Sequence, residues 1–419
     1  MKNLILIRIL LGILATTALT ACGGSDGSND PVTVTPTPDP DPIPDPVPDP
    51  VPPTQYHAVI ASVSPSFDSS DIEIVDLSAD TLIAKNAYAP SADSDITVSS
   101  NGEYFYRIGR YDIDTITKYS INAPSTPIWQ YSTKDSITDA TANPYKLIVA
   151  SETKAYLLRY GSNVLWVVNP SATTEAEFKT AEIDLSAYDE GDGKPEMSDA
   201  IVVGDKLYIT LERQYFYDPS LYPSYIAVID TTADSEIETH ADDSDGMMGI
   251  PLQTHNAGSL SYNANVGLIV QSIGDYGSSY VARPISYIGG IEVVDTADYT
   301  TSMLVDDGDD TEHSYGLITN VAIVSDAIGY FTGYTGWQSI SLYRFSPATG
   351  AVETTPVAGF DGIDIRGLAL DPENRLWVSV ADDSAPRIEV LDTTTNALSD
   401  TIETVLNPTT VVFTQTTTP

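Results

Sequence analysis

Only four histidines occur in the chain, and two of them stand in comparable settings: His255 in Thr254-His-Asn-Ala-Gly-Ser-Leu260 and His313 in Glu312-His-Ser-Tyr-Gly-Leu317. An imidazole serves equally well as a metal ligand, a proton carrier or a hydrogen-bonding cap. Asn256, Asp95, Asp199, Asp364 and Arg366 also stand near the starts of apolar runs. A fold that superposed those runs would bring all of these residues to the mouth of its central channel and gather imidazoles, carboxylates and a guanidinium into a pocket for a small ligand or a metal. A fold that kept them apart would use them as loop caps.

A second chemistry lies in acidic turns: Asp189-Glu-Gly-Asp-Gly193, Asp242-Asp-Ser-Asp-Gly246 and Asp306-Asp-Gly-Asp-Asp310. Asp243, Asp245, Asp306 and Asp309 could present hard oxygen ligands, and calcium is the cofactor they would take. None of these turns carries the closing glutamate of a twelve-residue EF-hand loop, so solvated acidic turns are the competing reading. A third feature is tyrosine: Tyr215, Tyr217 and Tyr222 fall within 214–225, and Tyr276 and Tyr280 within 274–287. Flat rings with polar tips suit a sugar, a peptide or a partner surface, and they equally suit packing long loops onto their own scaffold. No nucleophile is marked, for there is no Gly-x-Ser-x-Gly elbow, no HExxH helix, no Walker loop and no dinucleotide fingerprint. A binding or scaffold module is therefore the leading expectation. The alternatives are a metal-assisted lyase or hydrolase, or an accessory subunit of an uptake or electron-transfer system.

The elements that must position these residues are short β-rich runs with almost nothing of helical period. One pattern recurs as Ile72-Glu-Ile-Val-Asp76, Ile116-Thr-Lys-Tyr-Ser120, Leu165-Trp-Val-Val-Asn169, Ile226-Ala-Val-Ile-Asp230, Ile291-Glu-Val-Val-Asp295, Ile340-Ser-Leu-Tyr-Arg344 and Ile388-Glu-Val-Leu-Asp392. A second strand precedes each copy, indexed by Tyr56, Tyr104, Tyr156, Tyr208, Leu268, Tyr330 and Trp377, and a third strand precedes most of those. Such a unit cannot bury both faces of its own sheet, so the units must stack around an axis as the blades of a propeller. The first unit has no inner strand ahead of it, while the chain carries a spare strand at Thr409-Thr-Val-Val-Phe413. The sequence thus predicts an all-β, seven-bladed β-propeller over residues 55–419, closed by its C-terminal strand. Leu368-Ala-Leu-Asp-Pro-Glu-Asn-Arg-Leu-Trp-Val-Ser-Val380 resembles the repeats of seven-bladed propellers of the YVTN/NHL and quinoprotein-amine-dehydrogenase-like group. That resemblance implies a fold rather than an activity.

Ahead of the propeller, Lys2 and Arg8 precede a short apolar stretch ending in Leu19-Thr-Ala-Cys22, the only cysteine of the chain. This resembles the lipobox of bacterial lipoprotein signal peptides. It implies a signal peptide over residues 1–21, lipid on Cys22 and attachment to a bacterial envelope membrane; Gly23 in place of an aspartate resembles lipoproteins sent on to the outer membrane. Residues 22–54 turn to Gly, Ser and Asp and then to alternating proline, which favours an extended polyproline tether that cannot join a sheet. With 59 acidic against 19 basic residues and a formal charge of −40, the chain repels nucleic acid. A membrane held through lipid, an envelope protein, or a small-molecule or glycan ligand are the partners expected. A lone cysteine also excludes an intrachain disulfide and Cys-ligated clusters.

Overall fold

The computed structural model describes residues 54–215, 217–240 and 246–417; Cys22, the leader and the proline tether, together with Asp243 and Asp245, lie outside the described residues. Seven antiparallel sheets follow one another along the chain. Blade 2 shows the plan, with strands Ile96–Asn101, Tyr104–Gly109, Thr115–Ser120 and Trp129–Ser132 paired in chain order. The first strands of successive sheets contact one another in a closed cycle, which makes them the inner strands around a central axis. Blades 1 and 6 have irregular outer edges, each reduced to isolated bridges such as Ile74 with Lys85 and Phe345 with Val352.

Closure is made by Asn407–Thr417, the inner strand of blade 1, which pairs antiparallel with Thr54–Val63 from Thr54–Thr417 to Val63–Asn407. This pairing gives blade 1 the inner strand that the first unit lacked, so the strand Thr54–Val63 is paired on both sides. The apolar core is divided into seven clusters, each formed between two adjacent blades. The cluster between blades 7 and 1, with Ala58, Ile60, Val75, Trp377 and Ile388, is built like the other six. Second strands read as unbroken apolar runs because neighbouring blades cover both of their faces; Ala155 to Leu158 are all fully buried.

The recurring motif is explained by its last residue. The Asp76, Asn169, Asp230, Asp295 and Asp392 side chains accept hydrogen bonds from backbone N–H groups two or three residues on, and so fold the turn from third to outer strand. Tyrosines of the second strands then clasp that turn on the next blade. Tyr156 Oη donates to Asp234 Oδ1 at 2.7 Å, and Tyr330 Oη donates to Asn396 Oδ1 at 2.6 Å. In blade 2 the fully buried tyrosine equivalent to Tyr156 and Tyr208 is Tyr106 rather than Tyr104, two residues further along the same strand.

Candidate functional site

One hydrogen bond recurs on a single face and defines the mouth of the central channel. The residue just after a second strand donates its N–H to the carbonyl just before the inner strand of the same blade: Arg110 to Asp95, Tyr160 to Asn143, Glu212 to Glu196, Ile273 to Asn256, and Ala381 to Asp364, at 2.9–3.1 Å. Side chains at these paired positions therefore ring the mouth. In blades 3 to 7 the inner strand also bulges near this end, as at Met197/Asp199 and Ala257/Ser259, a distortion that re-aims side chains.

Between blades 1, 2 and 7 the mouth holds a cavity of about 370 Å³ lined by Phe67, Asp95, Thr97, Arg110, Arg366 and Thr410, among others. That volume lies at the small end of ligand pockets, roughly 300–1,000 Å³. Arg110 directs Nε and Nη2 at Asp95 Oδ1, both at 2.6 Å. Arg366 grips Asp364 with two parallel bonds of 2.7 Å, from Nε to Oδ1 and from Nη2 to Oδ2. Thr97 and Thr410, on adjacent inner strands, approach at 3.4 Å between hydroxyl oxygens and form the floor. The rim is aromatic. Phe67 is 49% exposed at a left-handed φ of 56°, a conformation a bulky residue avoids unless its surroundings impose it. Those surroundings are visible: Ser64 Oγ accepts from the N–H groups of Asp68 and Ser69, and Ser94 Oγ donates to the Phe67 carbonyl at 2.7 Å. The Arg366 guanidinium carbon lies 5.6 Å from both the Phe67 and the Trp337 rings.

A chain of contacts runs from this cavity along the mouth to blades 3 and 4. Arg110 sits 4.7 Å above the Tyr145 ring, Tyr145 stacks on Tyr160 at 4.3 Å, and Tyr160 Oη donates to Glu212 Oε2 at 2.7 Å. Beside it, Glu196 is almost wholly buried; its Oε1 receives Lys194 Nζ at 2.7 Å and its Oε2 the Gln214 N–H at 3.0 Å. Burial pushes Glu196 up to about 8 despite the lysine, and pushes Glu212 up to about 7. Lys194, between Asp192 and Glu196, is held protonated. Three carboxyls around one ammonium leave the cluster holding a proton at neutral pH.

The sequence-predicted residues fall into separate groups. Asp95, Asp364 and Asn256 stand at the mouth positions, and Arg366, the second residue of the inner strand of blade 7, lines the cavity beneath them. Asp199 does not, because the inner strand of blade 4 begins at Met197 and the mouth position belongs to Glu196; Asp199 faces neighbouring inner strands, pairing with Lys146 and accepting the Leu260 N–H at 2.9 Å. His255 and His313 flank one loop segment without a shared pocket. The His255 N–H donates to the Ile288 carbonyl, and its ring borders a nearly filled cleft with Tyr215, Tyr222, Arg213 and Arg283. Burial lowers its pKa. His313 stacks on Tyr287 at 3.8 Å, its Nδ1 being 2.9 Å from the Asp309 carbonyl.

The two tyrosine-bearing insertions lean on each other. Tyr217 and Tyr280 meet edge to face at 5.7 Å, Arg283 Nη1 donates to the Asp218 carbonyl, and Tyr276 meets Tyr334 at 5.2 Å. Asp306 and Asp309 accept from their own loop: Gly308 N–H to the first, and the Thr311 hydroxyl with the Glu312 and Thr311 N–H groups to the second, which holds Asp309 down at about 2. Among the described residues no three His, Cys, Asp or Glu side chains are grouped to hold a metal ion.

Sequence reading missed Phe67, Arg110, Tyr160, Glu196 and Glu212. A signal for three of them was present, since Arg110, Tyr160 and Glu212 each stand four residues beyond a fully buried second-strand tyrosine: Tyr106, Tyr156 and Tyr208. A larger groove of about 690 Å³ opens elsewhere, at the outer edges of blades 2 and 3 near Trp166 and Ile137. Its cations are already committed, Lys179 to Asp135 and Glu182.

The molecule is thus a seven-bladed β-propeller with a polar, aromatic-rimmed cavity at its channel mouth. No protein-family model matches the chain, and no curated protein matches it. Among solved structures it is similar to the periplasmic gluconolactonase of Pseudomonas aeruginosa, at 10% identity over 86% of this chain and 99% of that one, with a TM-score of 0.56. It is also similar to a putative 6-phosphogluconolactonase from Bacteroides fragilis, at 13% identity over 86% and 98% with a TM-score of 0.55. Apo AztD from Citrobacter koseri matches at 13% identity over 87% and 99%, with a TM-score of 0.50. These proteins share the propeller that the YVTN/NHL resemblance implies. At such identities the likeness is one of fold.

Proposed function

We propose that the protein is a lipid-anchored binding protein of a bacterial cell envelope, held by Cys22 and its proline tether to the outer membrane, that takes a small polar ligand at the channel mouth. The observation that carries the binding reading is the cavity between blades 1, 2 and 7. There Asp95, Arg110 and Arg366 converge from two different blades under an exposed, conformationally constrained Phe67. Small-molecule sites have this composition, a few placed polar groups against an aromatic surface. Attachment is supported by the lipobox-like run alone. The test is native mass spectrometry of the protein after exposure to the small-molecule fraction of an envelope extract, with a Thr97→Phe variant that fills the cavity floor. A retained compound that Thr97→Phe excludes is the expected result; retention by both forms, or by neither, contradicts the mouth as the site.

One observation favours a second reading, hydrolysis. Glu196 and Glu212 sit on the same face with carboxyls raised into the range of general acids and bases, and two of the structural neighbours are described as lactonases. Lactone hydrolysis by the purified protein that falls at least 100-fold in both Glu196→Gln and Glu212→Gln would establish it.

A further inference from the structure

We infer that the mouth cavity recognises a sugar acid, a monosaccharide or terminal glycan residue that carries a carboxylate beside hydroxyl groups. This rests on the binding reading above and names the ligand class. Each arginine keeps donors that its own carboxylate partner leaves unused. A guanidinium carries five N–H groups in a fixed fork. Arg366 spends one edge on Asp364 and Arg110 spends Nε and Nη2 on a single oxygen of Asp95. Among the described residues no bond occupies Nη1 of either arginine or Oδ2 of Asp95. The cavity therefore offers N–H groups of two guanidiniums together with one open carboxylate oxygen.

That combination has a chemical complement. Two guanidinium edges match a carboxylate, and the planar fork makes the recognition directional rather than a matter of point charge. The free oxygen of Asp95 accepts from a neighbouring hydroxyl. The threonine floor can donate or accept for further hydroxyls. The Phe67 ring, with Trp337 70% exposed and also 5.6 Å from the Arg366 guanidinium carbon, supplies a flat apolar face of the kind that packs on the C–H face of a sugar ring. A neutral sugar would leave the arginine edges unanswered, and a bare inorganic anion would leave Asp95 and Phe67 unanswered. Arg110 and Arg366 are balanced by Asp95 and Asp364, so this part of the mouth is locally neutral within a chain of formal charge −40. An anion therefore meets less repulsion here than elsewhere on the acidic surface, and the unused guanidinium N–H groups supply the attraction.

The experiment is isothermal titration of the purified full protein with glucuronate and galacturonate, with glucose and galactose as neutral counterparts and inorganic phosphate as bare anion. Arg110→Met, Arg366→Met, Asp95→Asn and Thr97→Phe variants are compared at matched melting temperature. The inference predicts saturable binding of at least one uronate, at least tenfold weaker binding of its neutral counterpart, and at least tenfold loss in each arginine variant. It predicts a smaller loss in Asp95→Asn. Equal binding of acid and neutral sugar, abolished by Thr97→Phe, overturns the acid class and leaves the mouth as the site. Phosphate that binds as tightly as the uronate overturns the sugar. A uronate that binds unchanged in both arginine variants and in Thr97→Phe overturns both this inference and the mouth reading. No uronate binding, with an extract compound still excluded by Thr97→Phe, overturns the ligand class alone.

Discussion

Replacing Phe413 by alanine tests how the ring is closed. Phe413 lies on the terminal strand opposite Ala58, meets Trp377 of blade 7 edge to face at 5.4 Å, and packs against the core between blades 7 and 1. Full burial of a phenylalanine contributes about 1.5–3 kcal/mol, and this one is half-buried, so its transfer contribution is about 1 kcal/mol. The edge-to-face pair adds about 0.5–1.5 kcal/mol. The vacated volume beside Ile388 and Val390 adds a cavity cost, bringing the loss to about 2–3 kcal/mol. For a domain of this length that is a fall in melting temperature of roughly 3–4 °C. Urea unfolding followed by tryptophan fluorescence measures it, with Val405→Ala as the exposed control on the preceding connector, expected to change stability by less than about 0.5 kcal/mol. Hydrogen exchange gives the second readout, because a closing strand must protect the Val412 amide and that of its partner Val59 to the level of Ala58, whose amide faces the Ser70–Asp76 strand. An unfolding midpoint no lower than the control's, with terminal-strand amides exchanging ahead of Ala58, would refute closure by this strand.

Three further outcomes follow from named contacts. Tyr330→Phe removes the clasp onto Thr393 and Asn396 of the next blade and is expected to cost about 1–2 kcal/mol by thermal melting, whereas Tyr111→Phe at an exposed ring should cost under about 0.5 kcal/mol. Stability should fall as pH rises from about 5 to 8, because the folded state keeps protons on Glu196, Glu212 and the buried Asp307, raised to about 8, 7 and 7, that the unfolded chain releases near 4 to 4.5. Each group contributes at most about 1.4 kcal/mol per pH unit over that window. Glu196→Gln and Glu212→Gln, which mimic the protonated form, should flatten the profile, and a melting temperature that climbs over the same window would contradict the assignment. Cys22→Ser should move the protein from membrane to soluble fractions or leave its leader attached, as read by fractionation and intact mass.

The scaffold was legible because it repeats. A motif ending in Asp76, Asn169, Asp230, Asp295 or Asp392 recurs since each turn needs the same side-chain acceptor, and the missing inner strand of the first unit could be matched to Thr409–Phe413 at the other end. The site was less legible because its parts are not repeats. Phe67 matters through a left-handed backbone fixed by Ser64 and Ser94, which no spacing announces. Arg110 and Arg366 lie 256 positions apart in the numbering and meet only because the ring brings blade 7 round to blade 2. Asp199 was assigned to the mouth on proximity to an apolar run, but the start of the inner strand at Met197 gave that position to Glu196. The histidines drew attention by rarity, and in the fold they hold a loop: one by its backbone, the other by stacking on Tyr287.

The central claim is that the channel mouth between blades 1, 2 and 7 is where the ligand sits, and a crystal structure of the protein with the compound it retains from an envelope extract tests it most directly. Ligand density is expected between Phe67, Arg110 and Arg366, above the Thr97–Thr410 floor. Density in the groove beside Trp166 and Ile137, or among Tyr217 and Tyr280 on the insertions of blades 4 and 5, with the mouth holding only solvent, would contradict it.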